Sequence, residues 1–129
     1  MMVNVPRQIV VAVDDDFRVR ESLASLIESA GYEPAVFSSA EEFLRSGTLT
    51  AAACVITDVR MPGLDGIELQ RRIRLERPDL PIIFISAHNH VEVRQKALDG
   101  GAVDFLYKPF NAGDLLEVIQ AALSKAREK

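Results

Sequence analysis

Short apolar runs alternate with amphipathic segments five times along this chain, and that alternation constrains the fold more than any other feature. Ile9 to Val13 is a β-branched run that ends abruptly in Asp14-Asp15-Asp16. Val19, Leu23, Leu26, Ile27 and Ala30 then recur at helical spacing, and Gly31 stands where such a helix would stop. Glu33 to Phe37 reads as a second strand, and Ser39 with Glu42 three residues on reads as a capping box opening a short helix. The third apolar run lies within Thr50 to Thr57 and is closed by Asp58. A loop with Pro62, Gly63 and Gly66 leads into a third helix striped by Ile67, Leu69, Ile73 and Leu75 and ended by Pro78. Pro81 to Ile85 is the most hydrophobic run, with Ser86 after it. A fourth helix spans His90 to Asp99 and a fifth strand Asp104 to Tyr107. Asn111 then caps a last helix, whose buried face is Leu115, Leu116, Ile119, Ala122 and Leu123.

Five strands, each followed by a helix, predict an α/β protein with a parallel sheet covered on both faces, a (βα)5 three-layer sandwich. Right-handed crossovers leave a few doubly wound orders, of which 2-1-3-4-5 is common for five strands. An eightfold barrel does not fit in 129 residues, which suit one domain, 1–129. Hydrophobic residues make up 48% of the chain, enough for a core without disulfides. The single cysteine, Cys54, lies in an apolar run and reads as a small buried hydrophobe in a reducing compartment. A net charge of −4 with scattered basic residues gives no electrostatic footprint for nucleic acid. Met1 to Arg7 has no signal-like apolar stretch and no run could cross a bilayer, so the expectation is a cytoplasmic domain without membrane contact.

In a doubly wound sheet, ligands sit beyond the carboxyl ends of the strands, where the strand order reverses. The polar residues gather there. Asp14 and Asp15 end the first strand, Asp58 the third, Ser86 the fourth and Lys108 the fifth. Three carboxylates at one crevice repel one another and raise one another's pKa values. A hard divalent cation relieves that strain, and Mg²⁺ needs only one or two carboxylates while keeping sites for phosphate oxygens. Lys108 adds a flexible point charge and Ser86 a hydroxyl donor. Together they suit a transferring phosphoryl group, with an aspartate as covalent acceptor.

The residues also resemble a known family over about residues 8 to 124. Val13-Asp14-Asp15, the block from Thr57 to Gly66 (TDVRMPGLDG), Ile85-Ser86-Ala87, Gly101 to Phe105 and Lys108-Pro109-Phe110 are similar to the response-regulator receiver domains of two-component systems. The resemblance implies a flavodoxin-like receiver fold and a phosphorelay function rather than an enzyme. It implies that Asp58 is the phosphorylation site, served by a sensor histidine kinase, and that the domain assists its own phosphorylation and dephosphorylation. It makes Asp15, Asp58 and the backbone carbonyl of Arg60 ligands of Mg²⁺ (or of Mn²⁺ in its place), with Asp14 acting through water. Lys108 would contact the phosphoryl group across a cis bond to Pro109. Ser86 and Phe105 would form the switch, while Arg60 and His88 would line the phosphoryl pocket and set the hydrolysis rate.

Phe105 stands where many such domains carry Tyr, so burial rather than a hydroxyl bond would have to drive the switch. SAEEFL at residues 39–44 and GAVDF at 101–105 are most similar to regulators of the nitrogen-fixation type, which carry a C-terminal helix-turn-helix. That implies transcription as the output, through a domain absent from this sequence, and a phosphorylation-dependent homodimer through the fourth helix, fifth strand and fifth helix. A stand-alone regulator acting by protein–protein contact is the alternative.

An aspartyl-phosphate hydrolase of the haloacid-dehalogenase type would need Thr or Val where Arg18 stands. A flavin binder would not place three carboxylates at its phosphate loop. Asp16 reads as the cap of the first helix. The His88/His90 pair lacks the further spacing of a transition-metal site.

Overall fold

The computed structural model describes residues 7–127. Strand β1 (Ile9–Val13) leads through helix α1 (Phe17–Ser29) to β2 (Glu33–Phe37) and α2 (Ala40–Ser46). A single 3₁₀ turn, Thr48–Thr50, precedes β3 (Ala52–Asp58) and α3 (Gly66–Glu76). The chain continues as β4 (Ile82–Ser86), α4 (Val91–Asp99), β5 (Asp104–Tyr107) and α5 (Ala112–Arg127). Residues 1–6 and 128–129, the extremes of the expected single domain, lie outside the described residues.

The strands form one parallel sheet in the order β2-β1-β3-β4-β5, as expected. Successive strand residues point to opposite faces, which splits the core into two layers. Val11, Val13, Val55, Ile82 and Phe84 pack with Phe43, Leu69 and Ile73 beneath α2 and α3. Val10, Ala12, Ile56, Ile83 and Ile85 pack with Leu23 and Ile27 of α1 and with Leu115 and Ile119 of α5. Burying each of the Leu, Ile and Phe side chains contributes about 2 kcal/mol, and truncating one to Ala costs about 3 kcal/mol. Because β3 and β4 are covered on both faces, they read as unbroken apolar runs.

Local chemistry fixes where the helices start. Asp16 caps α1 by accepting from the Arg18 amide at 2.9 Å. Asp65 caps α3 by accepting from Glu68, and Asn111 accepts from the amides of Gly113 and Asp114. Ser39 caps α2, but the expected reciprocal bond is displaced by one residue: Glu42 accepts from the amide of Ser38, not of Ser39. Gly31 follows α1 at φ +92°, a left-handed geometry that favours glycine.

The stripe of α3 differs from the expected one at its end. Leu75 is 76% exposed, whereas Gln70 is buried. The Gln70 amide donates to the Ala97 carbonyl at 2.9 Å, satisfying its polarity inside the layer between α3 and α4. Leu75 lies about 200° around α3 from the buried Ile73, on the face turned away from the core. Leu116 of α5 is likewise only half-buried.

Candidate phosphoryl and metal site

All five strands run the same way, so the ends of β1, β3, β4 and β5 open at one edge of the sheet. Asp14 follows β1 and is wholly buried. Its amide donates to the Phe37 carbonyl at 3.1 Å, its Oδ1 accepts from the Asp16 amide at 2.9 Å, and its carbonyl accepts from Arg20 Nη1 at 2.8 Å. The β1–α1 turn is thereby held from three sides. Asp58 ends β3 and is 8% exposed. Thr57 Oγ1 donates to the Asp58 carbonyl, and Gly66 passes so close that a Cβ there would overlap that same carbonyl and meet the Phe84 ring. Only glycine fits at that crossing.

Lys108 joins the two acids. Its Nζ donates to Asp14 Oδ2 at 2.8 Å and to Asp58 Oδ2 at 3.2 Å. Its amide donates to the Ser86 carbonyl at 2.7 Å, and the bond to Pro109 is cis. Asp15 is exposed, yet one of its carboxylate oxygens lies within 4.8 Å of oxygens from Asp14 and Asp58. Ser86 is buried, and its hydroxyl accepts from the His88 amide at 3.0 Å and donates to the His88 carbonyl at 3.2 Å.

Burial raises the Asp58 carboxyl above its ordinary value, and the charge of Asp14 raises it further, with Lys108 acting the other way. For Lys108 burial works downward, but the bond to Asp14 and the charges of both acids outweigh it, so its net shift is upward. Lys108 is therefore a fixed cation at neutral pH. It offsets the acids only in part, since the charge of Asp14 still raises the Asp58 carboxyl. The three acids are an oxygen-only donor set that retains excess negative charge, which fits Mg²⁺ better than a softer metal.

The structure brings Asp14, Asp15, Asp58 and Lys108 together, with Ser86 beside them at the end of β4. Arg60 and His88 are both exposed, on the loops that follow β3 and β4. The His88 and His90 rings stack with centroids 5.9 Å apart, and neither belongs to a cluster of three metal-ligating side chains among the described residues. Phe105 is 3% exposed and lies against Phe84 and Tyr107, with ring centroids 6.0 and 5.4 Å away. Its ring is thus already inside. Cys54 is buried and its thiol is pushed up to about 12 by desolvation, so it stays protonated and inert, as expected of a small core residue. Arg20 and Glu41, which hold the backbone around the acids, are not legible in the sequence, because each acts on a main-chain atom that no side-chain pattern marks.

The model of the response regulator receiver domain family matches residues 10–120, and the chain belongs to that family. It is 40% identical over 123 residues to nodulation protein W of Bradyrhizobium diazoefficiens, covering 95% of this chain and 54% of that protein. It is 40% identical over 117 residues to the transcriptional regulatory protein FixJ of the same organism, covering 91% of this chain and 57% of that protein. The chain therefore spans about half the length of the curated relatives it matches. Among solved structures, a response regulator receiver domain protein of Clostridium thermocellum superposes with a TM-score of 0.88 at 29% identity, covering 93% of this chain and 97% of that one. No helix among the described residues is long and apolar enough to cross a membrane.

Proposed function

We propose that this chain is the phosphoacceptor domain of a two-component phosphorelay, with Asp58 as the acceptor. The observation that carries the reading is the double contact of Lys108 with Asp14 and Asp58 beside Asp15. This arrangement places one nucleophilic carboxylate, one cation and spare oxygen ligands within one small crevice. A carboxylate oxygen of Asp58 attacks the phosphorus, the bond from phosphorus to the kinase histidine nitrogen breaks, and that nitrogen keeps the electron pair. Small acyl phosphates serve as donors by the same displacement.

Mg²⁺ would be held by Asp15, Asp58 and the Arg60 carbonyl, with Asp14 acting through water, and when bound it would neutralise charge on the phosphoryl oxygens. Lys108 exchanges its contact with Asp58 for a phosphoryl oxygen and keeps Asp14. Ser86 gives up its bond to the His88 carbonyl and donates to another phosphoryl oxygen. Arg60 and His88, exposed on the loops after β3 and β4, would hinder water from attacking the acyl phosphate. Lys108, Ser86 and the metal would thus assist both phosphorylation and its reversal, while Arg60 and His88 slow the reversal.

The phosphoryl group adds about −1.5 to −2 charge, which Ser86 and its loop reach toward. That loop leads directly into α4. Val91 on α4 and Val103 before β5 are apolar and exposed, which supports a homodimer through α4, β5 and α5. The likeness to the transcriptional regulatory protein FixJ supports transcription as the output, exerted through a segment beyond this domain, and the buried free thiol of Cys54 suits a cytoplasmic location. The test is exposure to acetyl phosphate with Mg²⁺. One phosphoryl group is expected on the wild-type chain and none at that site in Asp58→Asn.

A further inference from the structure

The loop between β3 and α3 carries the Arg60 carbonyl, and it is fastened from an unexpected direction. Glu41 lies in the first turn of α2, where an acid ordinarily serves its own helix. That role falls to its neighbour Glu42, which accepts from the Ser38 amide. Glu41 instead reaches across 23 residues, and its Oε2 accepts from the Leu64 amide at 3.0 Å. Among the described residues no other hydrogen bond ties residues 60–64 to a neighbouring element. The carboxylate also presses on the next backbone unit: a Cβ on Gly63 would overlap Oε2, and Gly63 has φ +79°. Glu41 therefore occupies the space a side chain at residue 63 would need. The other carboxylate oxygen, Oε1, is buried without a hydrogen-bond partner, so Oε2 and its bond to Leu64 hold the group in place. That bond also pulls the Glu41 carboxyl below its ordinary value and keeps it an acceptor at neutral pH.

We propose that Glu41 is a positioning residue for the metal site, a latch from α2 that holds the loop of residues 60–64 so that the Arg60 carbonyl is preset toward Mg²⁺. The proposal rests on the phosphoacceptor reading only for the identity of the metal. A loop freed of its latch must be ordered when the metal binds, so affinity falls while the acceptor carboxylate itself is untouched.

The test is calorimetric titration with Mg²⁺ alone, alongside thermal melts in chelator to show that each variant is folded. Glu41→Ala is expected to weaken Mg²⁺ roughly tenfold, as loss of an outer-shell support does, while Glu41→Gln, which keeps an acceptor oxygen, stays within about threefold of wild type. Gly63→Ala is expected to weaken Mg²⁺ as well, and to do so less in a Glu41→Ala background, where the overlap is gone and only the backbone strain remains. In acetyl phosphate labelling, the Mg²⁺ concentration giving half the maximal rate rises in Glu41→Ala much more than the maximal rate falls. A folded Glu41→Ala protein with wild-type Mg²⁺ affinity overturns the latch, and labelling of Asp58 in the same experiment shows that the phosphoacceptor reading survives. A wild-type chain that binds Mg²⁺ but takes no phosphoryl group overturns the phosphoacceptor reading alone, and the latch is then judged by the titrations.

Discussion

Lys108 and Asp14, ninety-four residues apart in the chain, form a part-buried ion pair at 2.8 Å that spans the strand ends from β1 to β5. Asp14 is fully buried, so its charge has little solvent to fall back on. This makes the acids unequal. Asp14 is a structural partner of Lys108 as much as a site residue, whereas Asp15 is exposed and uncommitted.

The first prediction follows from that inequality. Lys108→Ala leaves a buried carboxylate unpaired and should lower stability in metal-free buffer by about 3 kcal/mol. Asp15→Asn, at an exposed position, should change it by no more than about 0.5 kcal/mol. Urea unfolding in chelator measures both. Equal losses in the two variants would show that the pair with Asp14 contributes nothing special.

The second concerns pH. The Asp58 carboxyl is raised by burial and then by Asp14, so the native state binds its proton more readily than the unfolded chain. Stability from this group is greatest below its unfolded value of 3.8 and is lost as pH rises through the raised native value. Asp58→Asn removes that loss. The variant should melt above wild type at neutral pH without metal, and the gap should close in acid. Saturating Mg²⁺ should raise the wild-type melting temperature and act much less on the variant.

A third prediction concerns lifetime. Arg60 and His88 are exposed on the loops that follow β3 and β4, and if they screen the acceptor as proposed, trimming both to Ala opens a path for water. Loss of the acyl phosphate, followed by phosphate release, should then accelerate by several-fold. Unchanged or slower hydrolysis would remove these side chains from the account.

Much of this fold was legible in the sequence because the buried strands β1, β3 and β4 leave apolar runs, and the boundaries of β1, β2 and β5 fall on the expected residues. Helix stripes were less reliable where residue type and helical phase disagree. Residue type carries Leu75 into the core, yet the polar Gln70 takes a buried place because the Ala97 carbonyl satisfies it. The acids, Lys108 and Ser86 were legible because strand ends map onto one edge. Arg20 and Glu41 were not, since each is defined by a main-chain partner that only the folded loop presents. Phe105, the expected switch aromatic, is buried and packed on Phe84.

That packing shapes the fourth prediction. Phe105 is buried against Phe84, so its ring is part of the packing that supports β5. Phe105→Ala should therefore cost about 3 kcal/mol of stability. With Mg²⁺ and beryllofluoride, the wild-type chain should self-associate in sedimentation velocity, and Val91→Asp should abolish the association. A mimic-bound wild-type chain that stays monomeric at high micromolar concentration would point to a different partner for the α4 face.

The central claim is that Asp58, and neither Asp14 nor Asp15, takes the phosphoryl group. Borohydride reduces an acyl phosphate to the alcohol, so a phosphorylated aspartate becomes homoserine and can be located by peptide mass. After treatment with Mg²⁺ and acetyl phosphate, the account predicts homoserine at position 58 alone. Homoserine at position 14 or 15 of the unmutated chain, with Asp58 intact, would contradict it.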